Sequence, residues 1–144
     1  MADALANGAT ATTGGAPVSG TEGYFFQPTV LTGVTDETRI VKEEQFGPAL
    51  PIMPYKTDEE ALQRANDSEY GLSGSVWSGD DDKAVEMANA LEAGQIFTNS
   101  HGGRLDVPFG GFKQSGIGRV FGQGDIDAFT ETQTLQIKLP PSKL

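Results

Sequence analysis

Three consecutive segments between residues 73 and 99 restrict the fold more than any other part of the chain. "SGSVWS" reads as a short buried strand. "DDDKAVEMANALEAG" follows, with Ala84, Met87, Ala88 and Leu91 at i, i+3, i+4 and i+7, the spacing of one helix face. Asp80, Asp81 and Asp82 suit the positive end of that helix's dipole, and Gly94 is expected to stop it. "QIFTN" then predicts a second strand. Strand, helix and strand in this order are best satisfied by a parallel pair with a right-handed crossover, so the core is expected to be α/β.

The flanking segments are weaker signals of the same kind. "ADALANG" predicts the last turns of a helix ending at Gly8, and "ATATT" a short strand after it. Residues 29 to 31 read as a strand just past Pro28, which is tolerated at a strand start. "ALPIMPY" carries two prolines and reads as an edge-type or irregular extended segment after the Gly47-Pro48 turn. Thr57 followed by Glu60 has capping-box spacing and predicts a helix over 58–66 with Ala61, Leu62 and Ala65 on one side. Residues 102–124 hold eight glycines and predict a structured loop, or a loop plus a short helix. "TETQTLQIKL" alternates, with Leu135, Ile137 and Leu139 on one face, and predicts a half-buried strand that needs a sheet to join. Phe25, Phe26, Trp77 and Phe97 are most simply core.

Composition narrows the chemistry. Ten basic residues against twenty acidic ones give a formal charge of -10 over 144 residues, without a Lys/Arg cluster, so nucleic acid is not an expected partner. No apolar run is long enough to cross a membrane, and the N-terminus lacks the features of a signal peptide, which points to the cytoplasm. The absence of cysteine removes a disulfide framework, a thiolate metal site and a cysteine nucleophile, and a single His101 does not build a zinc centre.

The stretch "KEEQFGPAL", residues 42–50, sets two adjacent carboxylates beside an aromatic ring and a Gly-Pro turn. Such a pair can do proton chemistry, hold a cation or accept hydrogen bonds from sugar hydroxyls. No second base, metal cluster or sugar platform accompanies Glu43 and Glu44, so an autonomous hydrolase is disfavoured. The glycine-rich region offers neither phosphate motif: "GIGRVFG" has the wrong spacing for G-x-G-x-x-G, and "GFKQSGI" has Ile117 where a P-loop needs lysine. Its glycines fit tight turns and close backbone approach instead. His101 reads as a structural hydrogen-bonding residue rather than a catalytic one.

Taken in order, "GYFFQPTVL", "VKEEQFGPALPI", "ANDSEYGLSGSVW", "LEAGQIFTNSH", "VPFGGFKQSGIGR" and "ETQTLQI" resemble the C-terminal portion of the NAD(P)-dependent aldehyde dehydrogenase family over nearly the whole chain. The motif of Glu44, Phe46, Gly47 and Pro48 and that of Pro108, Phe109, Gly110, Gly111, Lys113, Ser115 and Gly116 carry the resemblance. It implies a partial aldehyde dehydrogenase catalytic domain over 1–129 and an assembly strand and tail over 130–144. It further implies that Glu44 accepts hydrogen bonds from the nicotinamide ribose of NAD or NADP, that Phe46 packs near the nicotinamide, and that Phe109 and residues 99–106 line the aldehyde tunnel.

Members of that family attack the aldehyde with a cysteine, pass hydride to the nicotinamide and hydrolyse the thioester with a glutamate base, all upstream of the matched part. The present chain therefore carries no catalytic residue by resemblance and is expected to be an inactive fragment alone, without tight cofactor binding of its own. The alternative is a non-catalytic assembly module. Its expected partners are an N-terminal enzyme segment or further copies of itself, joined through the C-terminal strand. Two departures stand out: Gln45 occupies a usually apolar position, and Val120 follows Gly118-Arg119 where an acid is usual.

Overall fold

The structure is a computed structural model that describes residues 1–138. The chain forms two compact units, Met1–Ser68 and the part from Glu69 onward. In the first, the order is α1 (Ala2–Ala6), β1 (Thr10–Thr13), β2 (Thr29–Thr32), α2 (Arg39–Lys42), β3 (Ala49–Pro51) and α3 (Asp58–Asn66). The β-branched run of β2 takes the centre of a three-stranded sheet, antiparallel to β1 and parallel to β3. Pro51 lies in β3 at the edge, where a missing N–H donor is tolerated. Leu31 of β2 is fully buried with Ala4 and Ala9, and Met1, Ala11, Val34 and Ile40 pack around them.

Local chemistry sets the ends of these elements. Gly14 sits at φ +66°, where a Cβ would lie 2.3 Å from the Pro28 carbonyl oxygen, so glycine is required there. The next amide, of Gly15, donates to the Thr29 hydroxyl at 2.8 Å, and that hydroxyl donates to the Gln27 carbonyl at 2.8 Å. At α3 the Thr57 hydroxyl accepts from the Glu60 amide at 3.2 Å. The Glu60 carboxylate in turn accepts from the Lys56 amide at 2.9 Å, one residue before the cap, so the predicted box is displaced by one position. Of the predicted α3 face, Ala61 and Leu62 are half-buried and Ala65 is exposed. Arg64 takes the inward place instead, binding Asp36 at 2.9 Å and the Pro54 carbonyl at 3.0 Å.

The second unit contains β4 (Tyr70–Gly71), β5 (Ser73–Val76), α4 (Asp81–Ala90), β6 (Gln95–Thr98), β7 (Phe112–Lys113) and α5 (Gly124–Asp127). Strands β5 and β6 pair in parallel from Ser73↔Gln95 to Val76↔Thr98, and α4 packs on both. The strand-helix-strand expectation is met. The Asp80 carboxylate caps α4 by accepting from the Lys83 amide at 3.1 Å. Ala84 is buried, with Met87, Ala88 and Leu91 half-buried on the same face. Helix α4 ends at Ala90 because Leu91 is already extended (φ -78°, ψ 134°), so Gly94 is not its stop. A Cβ on Gly94 would lie 1.6 Å from the Gly110 carbonyl oxygen, which makes close backbone approach its role.

Three expectations are corrected. Trp77 is exposed: it follows buried Val76 at the end of β5, where alternation sends it to the opposite face, and its indole N–H donates to the Ser75 hydroxyl at 3.1 Å. Phe25 is exposed in the loop before β2, its ring folded locally over Gly23. Residues 131–138 form no strand and are exposed, because among the described residues no sheet edge pairs with them. Leu139 lies outside the described residues. Two short strands, β4 and β7, were not expected; they pair antiparallel, Tyr70↔Lys113 and Gly71↔Phe112.

Candidate functional site

The acidic stretch follows α2, one helical turn. The amide of Glu43 donates to the Arg39 carbonyl at 2.7 Å, and Glu43 itself is extended (φ -100°, ψ 140°), so the chain leaves the helix there. Arg39 Nε and Nη2 fork onto the two Glu43 carboxylate oxygens at 2.8 and 2.6 Å. That bidentate bond, with the guanidinium charge, holds the Glu43 carboxyl below the usual glutamate range. Adjacent Glu44 is exposed and makes no hydrogen bond or ion pair among the described residues. The two neighbouring acids are thus unlike: one is engaged at both oxygens, the other is open.

Past Glu44 the chain is anchored to the sheet. The Gln45 side-chain amide donates to the Ala49 carbonyl at 2.6 Å, which gives this departure a structural role. The Ala49 amide bonds the Gly47 carbonyl at 2.9 Å, and the Thr29 amide of β2 bonds the Pro48 carbonyl at 2.8 Å. Phe46 stands between these anchors with 92% of its surface exposed, an aromatic ring left without a local core to fill. An acceptor-only carboxylate can take two vicinal hydroxyl donors, and a bare ring two residues on can meet a flat heterocycle, so the residues present fit a ribose bearing an aromatic base.

Phe109 belongs to the second unit. It is half-buried and exchanges backbone hydrogen bonds with Val120 at 2.7 and 2.9 Å, and its ring lies 6.1 Å from that of Phe121. Val120 therefore contributes through its main chain. Arg119 donates to the carbonyls of Gly111 (3.1 Å) and Gly118 (2.6 Å) and lies over the Phe112 ring. The Ser115 hydroxyl accepts from the Gly71 amide at 2.9 Å, and Lys113, at φ +52°, pairs with Glu92 at 2.7 Å. Bonds of this kind turn the glycine-rich region into a closed set of turns.

The loop after β6 starts from Asn99, at φ +47°, whose side chain accepts from the Ser78 amide and donates to Asp81, each at 2.8 Å. His101 makes a ring contact with Phe97, centroids 5.6 Å apart, and among the described residues it makes no hydrogen bond of the kind expected. Arg104 and Asp106 form an exposed ion pair that holds the Asp106 carboxyl below its ordinary range. Among the described residues no group of three or more His, Asp or Glu could hold a metal ion, and no helix is long and apolar enough to cross a membrane.

Sequence reasoning placed Glu44 and Phe46 in one segment, and the structure keeps them there; Phe109 stands in the other unit. It missed Arg39, although the i, i+4 spacing of Arg39 and Glu43 was visible.

Solved structures similar to this α/β arrangement include aldehyde dehydrogenases in complex with NAD+. The Mycobacterium tuberculosis aldehyde dehydrogenase is similar at TM-score 0.87 and 41% identity, over 90% of this chain and 27% of that one. An indole-3-acetaldehyde dehydrogenase is similar at TM-score 0.90 and 42% identity, over 96% of this chain and 28% of that one. The aldehyde dehydrogenase family model matches residues 1–135, and the chain belongs to that family. Aldehyde dehydrogenase 1A1 of Gallus gallus is 48% identical over 128 residues, 88% of this chain and 25% of the relative. Aldehyde dehydrogenase, cytosolic 2 of Macroscelides proboscideus is 46% identical over 88% of this chain and 52% of its own length. The chain spans about a quarter of the length of curated relatives such as the aldehyde dehydrogenases 1A1 of Gallus gallus and Oryctolagus cuniculus.

Proposed function

We propose that this chain supplies the nicotinamide-ribose and aldehyde-tunnel contacts of an NAD(P)-dependent aldehyde dehydrogenase, an oxidoreductase that converts an aldehyde to a carboxylic acid. The observation that carries the reading is the asymmetry of the acidic pair: Glu44 is open while Arg39 holds Glu43. Glu44 would accept hydrogen bonds from the two ribose hydroxyls, and Phe46 would flank the nicotinamide ring that the ribose carries. Phe109, fixed by its backbone pairing with Val120, presents its ring to the aldehyde. A bound nicotinamide would supply the hydride acceptor for this oxidation. With no cysteine in the sequence, the thiol that attacks the aldehyde comes from outside these 144 residues.

In this reading residues 1–129 act as part of the catalytic domain and 130–144 as an assembly segment. The partner is an N-terminal enzyme segment or another copy of the chain, and the compartment is the cytoplasm, which the cytosolic relative supports. The test is co-expression with a family segment that carries the cysteine and the dinucleotide-binding domain. Expected is aldehyde-dependent NAD(P)+ reduction by the pair and none by either part, with Glu44→Gln raising the KM for NAD(P)+. Turnover by the 144-residue chain alone, or a Glu44→Gln variant with unchanged KM, overturns the assignment.

A second reading, a non-catalytic module that docks with a family partner, draws on exposed Leu135 and Ile137 in the unpaired 131–138 segment. A complex that forms without regained activity would favour it.

A further inference from the structure

We infer that Arg39 is a positioning residue for the nicotinamide-ribose contact: by occupying both oxygens of Glu43 it leaves Glu44 as the open carboxylate of the pair and directs it away from α2. The inference rests on the ribose reading above and adds a residue to it.

The geometry supports this in two ways. First, Glu43 is extended, and in an extended segment successive side chains leave on opposite sides of the chain. A Glu43 carboxylate drawn back one turn to Arg39 therefore sets Glu44 on the other side. The amide bond from Glu43 to the Arg39 carbonyl at 2.7 Å fixes the backbone at the same point, so side chain and main chain act together. Beyond Glu44 the Gly47–Ala49 turn is tied to β2, which leaves little freedom for the residues between.

The second support is electrostatic. Two adjacent free carboxylates would repel each other, while only one of them is needed as acceptor. The guanidinium neutralises the one not needed. Lys42, which pairs with Glu37 at 2.5 Å, is already engaged, and Arg39 also feels the charge of Asp3 in α1. Loss of the Arg39 side chain would release the Glu43 carboxylate from α2 and leave two free, mutually repelling acids in the stretch.

The test titrates reduced nicotinamide riboside, which is uncharged and keeps both ribose hydroxyls, into the 144-residue chain and follows the Phe46 amide and the side-chain carboxyl carbons of Glu43 and Glu44 by NMR. For Arg39→Gln we expect riboside affinity to fall about two- to fivefold, the scale of an exposed but bidentate pair, with the Glu43 carboxyl titrating at higher pH than in the wild type. The charge swap, Arg39→Glu with Glu43→Arg, should restore affinity, since an acid four residues ahead of a base is a favourable order on a helical turn. The β2 amide shifts report that the sheet is intact in each variant. If Glu44→Gln weakens riboside binding while Arg39→Gln does not, the positioning role is wrong and the ribose reading stands. If the riboside perturbs none of these signals, or Glu44→Gln leaves its affinity unchanged, both are wrong.

Discussion

Gly94 approaches Gly110 so closely that a Cβ on Gly94 would sit 1.6 Å from the Gly110 carbonyl oxygen. The obstacle is backbone, so no rotamer change relieves it, and Gly110 is itself confined, since its own Cβ would meet the Gly118 carbonyl oxygen at 2.6 Å. Gly94→Ala should therefore push the glycine-rich turns off β6 and destabilise the second unit by about 1–3 kcal/mol, the range of overpacked sites. Urea denaturation followed by the amides of β5 and β6 measures it. A midpoint equal to that of the wild type would mean that the two backbones separate freely.

Leu31 is the only large side chain fully buried among the described residues, so the first unit depends on it heavily. Leu31→Ala should cost about 2–5 kcal/mol, because the small neighbours Ala4 and Ala9 cannot expand into the vacated space. Leu31→Met, which keeps most of the volume, should cost less than about 1.5 kcal/mol. Equal losses in the two variants, read by chemical denaturation, would argue that side-chain volume is not what holds this core.

Legibility in the sequence followed the range of the interaction. The helix at 58–66 and the strand-helix-strand unit at 73–99 are written in local periodicity and in their N-terminal signals, Thr57 with Glu60 and the acids Asp80 to Asp82, and both formed. Glu44 and Phe46 were visible because their motif is contiguous. Gly94 was misread because its partner, Gly110, is distant in sequence, and a glycine after a helix looks alike whether it ends the helix or admits another backbone. Strands β4 and β7 are two residues each, too short for any period to show. The alternation of 131–138 is a true strand signal, yet a strand also needs an edge to bond with, and that is not encoded in the segment itself.

Two exposed carboxyls give a pH signature of defined sign. The hydrogen bond from Arg104, and its charge, hold Asp106 below the ordinary aspartate range, and Arg39 does the same to Glu43. A lowered folded value means that the unfolded chain binds more protons between that value and the ordinary carboxylate range. Stability from these pairs is thus complete above the ordinary range and is lost as pH falls through the folded values. Salt should shrink the effect, since both pairs are open to solvent. In Arg104→Gln the Asp106 carboxyl should titrate in the ordinary range while Glu43 stays low; carboxyl-carbon NMR reads both, and an unmoved Asp106 would remove Arg104 as the cause.

The segment at 131–138 supplies the clearest statement about assembly. Leu135 and Ile137 are two residues apart, so an extended chain places them on one face, and both are exposed. Phe129 just before them is exposed as well, which extends the apolar surface. The formal charge of -10 opposes association through repulsion but satisfies no backbone donor or acceptor, so the segment gains by pairing with an external sheet edge. We expect the isolated chain to self-associate in a concentration-dependent way, and Leu135→Lys or Ile137→Lys to weaken that association by placing a charge on the face to be buried. Thr134→Lys, one residue out of phase, should have little effect. Light scattering with amide hydrogen exchange decides the matter: a monodisperse monomer in which residues 131–138 exchange freely at every concentration would show that this segment carries no assembly function.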